Sequence, residues 1–269
     1  MITKVENNSY QHNFHKEEIP PVSIDILFIR KVLNSIKEPR DVSEVIEAIY
    51  NLKRLINREM NLFIHMFDSV YEEFEKFLTN ENPEIVKASL HLTAAVLGIS
   101  WVHPNIGDWV MYMIPLVINL SVSSDYLADD ELKYLIENCF ENIPKKCIYE
   151  ETAHILLCAM TEENQAYTDI ACNLFMKYLI NMDKFHLINA FEWNEMIDNI
   201  LNLFHYGKEK RTIGTNIIKF LKSEVFTNEE WEEILAKLDS EYLEKLIIID
   251  KFNYSTINDK KKKKQASIR

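Results

Sequence analysis

From about residue 23 the apolar positions fall every three or four residues, the period of one helix face. Ile24, Leu27, Phe28, Val32 and Ile36 form a first stripe, which Pro39 ends because its ring disfavours helix before it and removes a donor. Val42, Val45, Ile46, Ile49, Leu52, Leu55 and Ile56 form the next, and Phe63, Met66, Phe67, Val70, Phe74 and Leu78 mark a third helix over about 60–79. Asn82-Pro83 is a start signal, since Asn caps and Pro suits the first helical position. It opens a helix carrying Ile85, Val86, Leu90, Leu92, Ala95 and Val96. Further helices are predicted to end near Leu120 and to cover about 130–142, 151–160, 167–179, 195–204, 212–221 and 231–238. Thr227 and Glu230 have capping-box spacing ahead of the last of these, and a short helix over about 241–249 follows.

The helices group into pairs. Sharp turns inside the pairs fall near residues 39, 81, 124, 163 and 207, at intervals of 42, 43, 39 and 44. A helix-turn-helix unit repeating near 40 residues has HEAT or armadillo spacing. One such pair cannot bury its apolar face alone, so pairs stack into a continuous core. The expected fold is therefore all-α, an α-solenoid of about five to six HEAT-like helix pairs over residues 23–250. Residues 1–22, polar and closed by Pro20-Pro21, read as an extended N-terminal arm, and residues 251–269 as a basic C-terminal tail.

Composition supports this class. Four glycines in 269 residues is far below the roughly 7% of average proteins. Tight β-turns and phosphate-cradling loops consume glycine, so sandwiches, dinucleotide folds and P-loop enzymes are disfavoured. The net charge is −12, but Lys260 to Lys264 and Arg269 carry six cations, so the first 259 residues sum to −18. A body that acidic is a poor nucleic-acid binder. Cys139, Cys147, Cys158 and Cys172 form no CxxC pair and read as small buried residues of a reducing compartment. The polar first residues lack a signal-peptide core, and the longest apolar stretch, 109–120, is interrupted by Tyr112, Pro115 and Asn119. A soluble, cytoplasmic protein is expected, with no nucleic-acid or membrane partner.

Catalytic motifs are absent: the chain has no GxSxG, HExxH, GxxxxGK[ST] or GxGxxG. His12 and His15 have HxxH spacing without nearby Cys or carboxylate ligands, and His65, His91 and His154 read as hydrogen-bonded packing residues. The expectation is a protein that is not an enzyme, with no cofactor or metal, acting through a protein partner. Solenoids bind partners on ridges made by one set of turns. The candidate ridge carries Lys37 and Arg40 at the first turn, and Asn80, Asn82 and Lys87 at the second. The third offers Asp125, Tyr126, Asp129, Asp130 and Lys133, the fourth Glu162, Glu163 and Asn164, and the fifth Lys208, Lys210 and Arg211. Arg40, Asn82, Lys87, Lys208, Lys210 and Arg211 are the candidate protein-binding residues.

Three stretches carry a family resemblance. LNLFHYGKEKRTIGTNIIKFL and NEEWEEILAKLDSEYLEKL resemble the last repeat and trailing helices of the TOG domain, in its CLASP-like branch, and NENPEIVKASLHLTAAVLG resembles its second repeat. The resemblance covers about residues 23–249. It implies a HEAT-type array that binds tubulin or microtubules through its within-pair turns, with Lys87 at the place of a tubulin-contacting lysine. It also implies a cytoskeletal location, a cilium or axoneme included. Two positions depart from the family pattern: the first turn, Glu38 to Val42, has no aromatic residue, and the fourth is Glu162-Glu163 rather than basic.

Overall fold

Side chains in the turns start the helices. Asp41, Asn82, Asp129, Asn164 and Thr227 each accept a backbone N–H from the first turn of the helix that follows. Thr227 and Glu230 complete the reciprocal capping box. Each cap satisfies donors that a helix N-terminus otherwise leaves open.

The computed structural model describes residues 26–99, 104–123, 129–147, 150–189 and 191–246, and these contain no strand. The arm, the tail, Asp125 and Tyr126 lie outside them. The helices are α1 (Ile26–Lys37), α2 (Val42–Arg58), α3 (Met60–Phe67), α4 (Tyr71–Leu78), α5 (Pro83–Leu97), α6 (Pro104–Val122) and α7 (Asp130–Lys146). They continue as α8 (Glu150–Ala159), α9 (Gln165–Asn181), α10 (Lys184–Asn189), α11 (Trp193–Asn202), α12 (Lys208–Phe220) and α13 (Asn228–Leu235). A last helix, α14, covers 240–246.

Two rows of helices result. In one, α2 packs on α5, α5 on α7, α7 on α9 and α9 on α12; in the other, α4 packs on α6, α6 on α8 and α8 on α11. The pairs α1/α2, α4/α5, α6/α7, α8/α9 and α11/α12 join the rows. The fold is an all-α helical-repeat solenoid. One apolar cluster runs through it from Val32 to Leu246, and Leu90, Leu92, Phe175 and Tyr178 are essentially sealed from solvent. Full burial of a Leu or Phe side chain contributes about 2–3 kcal/mol.

Three local differences from the sequence expectation have physical causes. The helix expected over 60–79 is two, because the chain tightens into i→i+3 bonds at Ser69 and Val70 (2.9 and 3.0 Å) after the poor helix formers Asp68 and Ser69. α10 was not foreseen, since six residues are too few to show a period. α12 ends in a π turn over Leu221–Val225, closed by Phe226 N–H donating to Leu221 C=O at 3.0 Å. That turn delivers Phe226 edge-on to Trp193 (5.7 Å) and stacked on Trp231 (6.2 Å), which seals the end of the core.

The Asn105–Val122 part of α6 is long and apolar enough to cross a membrane by length and composition, but 56% of it is buried inside the fold. It serves here as a core helix. Cys139, Cys147 and Cys172 are buried as expected, whereas Cys158 is exposed, and all four are free thiols. Burial pushes the Cys139 thiol up to about 12.

Candidate functional site

α1, α4, α6, α8 and α11 all run toward the within-pair turns, and α2, α5, α7, α9 and α12 run back from them. Since like helices pack in rows, the five turns line one edge. The six predicted residues lie along it in three different settings.

Arg40 is exposed and already paired. Glu44 accepts from the Arg40 backbone N–H (2.9 Å), from its guanidinium (3.2 and 3.3 Å) and from the Ser35 hydroxyl (2.9 Å). These bonds, the backbone one first, hold the Glu44 carboxyl down to about 2. Asn82 is a structural cap: its Oδ1 accepts from Glu84 N–H at 3.0 Å and its own N–H donates to Asn80 Oδ1 at 2.9 Å.

Lys87 joins two repeats. Its ammonium lies 2.9 Å from Glu84 on its own helix, and 3.0 and 3.1 Å from Asp129 and Glu131 at the start of α7. Only 14% of its side chain is exposed, and the three carboxylates raise its pKa. Asp129 is at the same time the cap of α7, with its other oxygen accepting from Glu131 and Leu132 N–H. One lysine thus ties the second turn to the third.

Lys210 does the same between the fourth and fifth turns. It is 6% exposed, and its ammonium donates to the Thr168 hydroxyl on α9. Thr168 in turn donates to the Glu162 and Asn164 carbonyls (3.2 and 3.0 Å) in the fourth turn. Burial lowers the Lys210 pKa, while Asp169, Glu209 and Glu162 act the other way. The basic cluster expected to face solvent as a unit is therefore divided. Lys208 and Arg211 are exposed and Lys210 points inward, because two residues are more than half a helical turn, which puts it opposite Lys208 on the side that meets α9. Arg211 makes one long contact, donating to the Phe204 carbonyl at 3.4 Å.

Sequence inspection missed the partners that hold these lysines. Glu84 is legible as an i,i+3 neighbour of Lys87. Asp129, Glu131 and Thr168 are not, since they come from the adjacent repeat. Two histidines differ from expectation in burial, since His65 and His154 are exposed, while His154 is hydrogen-bonded as expected. His154 lies 2.7 Å from Glu195 and 2.8 Å from Asn199, linking α8 to α11, and His186 lies 3.0 Å from Glu150. His91 is half-buried beside Tyr50, and desolvation lowers its pKa. Among the described residues no group of three or more His, Cys, Asp or Glu is arranged to hold a metal ion.

No family model and no curated protein matches the chain. Among solved structures it is similar to an engineered protein at TM-score 0.41 and 15% identity, covering 80% of this chain and 92% of that one. It is similar also to a designed armadillo repeat protein at TM-score 0.41 and 13% identity, covering 81% and 86%. Overlaps this low assign no function, and the solenoid rests on the helix contacts described above.

Proposed function

We propose that the chain is a non-catalytic helical-repeat scaffold that docks a protein partner along the edge of within-pair turns. The observation that carries this is the construction of the edge. Its turns are fastened to one another by Lys87 and Lys210 across repeats, while Lys37, Arg40, Lys208 and Arg211 remain on the surface. A braced row of loops with exposed cations at both ends holds charged groups at fixed spacing, which favours recognition of an extended protein surface.

Tubulin or microtubules is the partner that the TOG resemblance implies, and with it a cytoplasmic place on the cytoskeleton, a cilium or axoneme included. Tubulin is acidic, so its contacts fall to the four exposed cations and not to Lys87 or Lys210. A second reading, an adaptor for another protein assembly without tubulin affinity, is favoured by a specific observation: the family-like lysine, Lys87, is enclosed by Glu84, Asp129 and Glu131. Gel filtration with free tubulin and co-pelleting with microtubules, each at low and moderate salt, separates the two. Salt-sensitive association with either form supports tubulin; absence of association in both assays leaves the adaptor.

A further inference from the structure

The other edge of the array holds a cavity of about 650 Å³ between the break that separates α3 from α4 and the first half of α6. α4 and α6 both start there and run toward the within-pair turns, so the cavity is far along both helices from the docking edge proposed above.

Its lining has an unusual charge balance. Asp68, Glu72, Glu75 and Asp108 contribute four carboxylates, and among the described residues no cationic side chain lines the space. Neutral donors touch three of them: Asn105 Nδ2 donates to Asp68 at 2.9 Å, the Tyr71 hydroxyl to Glu72 at 3.2 Å, and the Tyr112 hydroxyl to Glu75. None of the four enters an ion pair among the described residues, and the nearby cation Lys76 is taken by Glu73 at 2.9 Å. Each carboxylate keeps acceptor capacity.

The walls between these charges are aromatic. Tyr71 and Tyr112 are 43% and 54% exposed, and Trp109 lies behind them, clamped by Phe74 at 4.8 Å and Phe67 at 5.8 Å. Trp109 is 5% exposed, and its indole N–H is buried with no acceptor among the described residues. Carboxylates spread among aromatic faces suit an organic cation and not a metal ion, which needs several donors on one point.

We propose that this cavity receives a lysine or arginine side chain from a basic segment of a partner protein. The aliphatic stem lies against Tyr71 and Tyr112, and the cationic head meets the carboxylates. This stands apart from the turn-edge reading, since tubulin is acidic and the two surfaces are separate.

The test uses the full chain and a capped octapeptide of alternating lysine and alanine, titrated by tryptophan fluorescence. The expected result is saturable binding that weakens about tenfold in Glu75→Gln/Asp108→Asn and severalfold in the surface variant Tyr112→Leu. The same peptide with norleucine for lysine does not bind. Because the whole body is acidic, Glu232→Gln/Glu233→Gln on α13 removes two charges elsewhere and leaves the affinity unchanged. Melting curves matching the parent's show that the variants fold. The proposal is overturned if the α13 variant weakens binding as much as the cavity variant does, if Tyr112→Leu binds like the parent, or if the parent shows no saturation.

Discussion

Lys208, Lys210 and Arg211 stand within four positions of each other, yet only two of them face water. Helical phase decides this. Lys210 lies toward α9 and meets Thr168, 42 positions earlier, while its neighbours point outward. The energetic consequences differ accordingly. Lys208→Glu/Arg211→Glu alters exposed side chains and is expected to change stability by no more than about 0.5 kcal/mol. Lys210→Glu places a carboxylate at a buried position among Glu162 and Asp169, and is expected to cost several kcal/mol. Lys87→Met leaves Glu84, Asp129 and Glu131 facing one another and is expected to cost about 1–2 kcal/mol. Urea denaturation midpoints, with the slope checked for constancy, measure all three. Equal midpoints for the Lys208/Arg211 and Lys210 variants contradict the division of the cluster. This inward role was not legible in the sequence, because the burying partner belongs to another repeat and charge alone does not tell a staple from a ridge.

At the scale of elements, the turns carry the local information. Asn82-Pro83 and the Thr227/Glu230 box are where the sequence places them, because a cap acts on the next few residues only. The break at Asp68–Val70 and the helix α10 were less legible, since apolar period persists across the first and has no room in the second. The first turn supplies a pH test. Its Glu44 carboxyl is held at about 2 by the Arg40 N–H, the Arg40 guanidinium and Ser35. A depressed carboxyl stabilises the fold above its unfolded value and loses that effect as pH falls toward the folded value. The difference in melting temperature between the parent and Glu44→Gln is therefore expected to be largest above pH 5 and to close between about pH 4.5 and pH 2. A difference that is constant over that range excludes the ionised carboxylate as its source. The fifth repeat supplies a packing test. A Cβ on Gly214 would lie 2.7 Å from the Phe204 ring and 3.1 Å from the Ile200 carbonyl, so α12 approaches α11 as closely as a glycine allows. Gly214→Ala is expected to cost about 1–3 kcal/mol by overpacking. Gly207, at φ +102°, turns the chain into α12 in a backbone region that L side chains rarely adopt.

Over the whole molecule, the near-40-residue interval of turns translated directly into rows of stacked pairs. The two middle intervals hold two helices each, the first adds α3 and the last adds α10, and each pair buries its apolar stripe on its neighbours. The acid-aromatic cavity was invisible at that scale, because Asp68, Tyr71, Glu72 and Glu75 come from one repeat and Asp108, Trp109 and Tyr112 from the next. Stacking also makes local damage spread. Leu90 is fully buried where α5 meets its neighbours, so Leu90→Asp is expected to unfold the adjoining pairs, with loss of helical circular dichroism at temperatures where the parent is intact. The claim that the exposed cations of the turn edge bind tubulin is tested most directly by microtubule co-pelleting of the parent beside Lys208→Glu/Arg211→Glu, with melting temperatures recorded for both. The account predicts that the parent pellets at low salt, and that the double variant melts like the parent and stays in the supernatant. A double variant that pellets as fully as the parent, or a parent that never pellets, contradicts it.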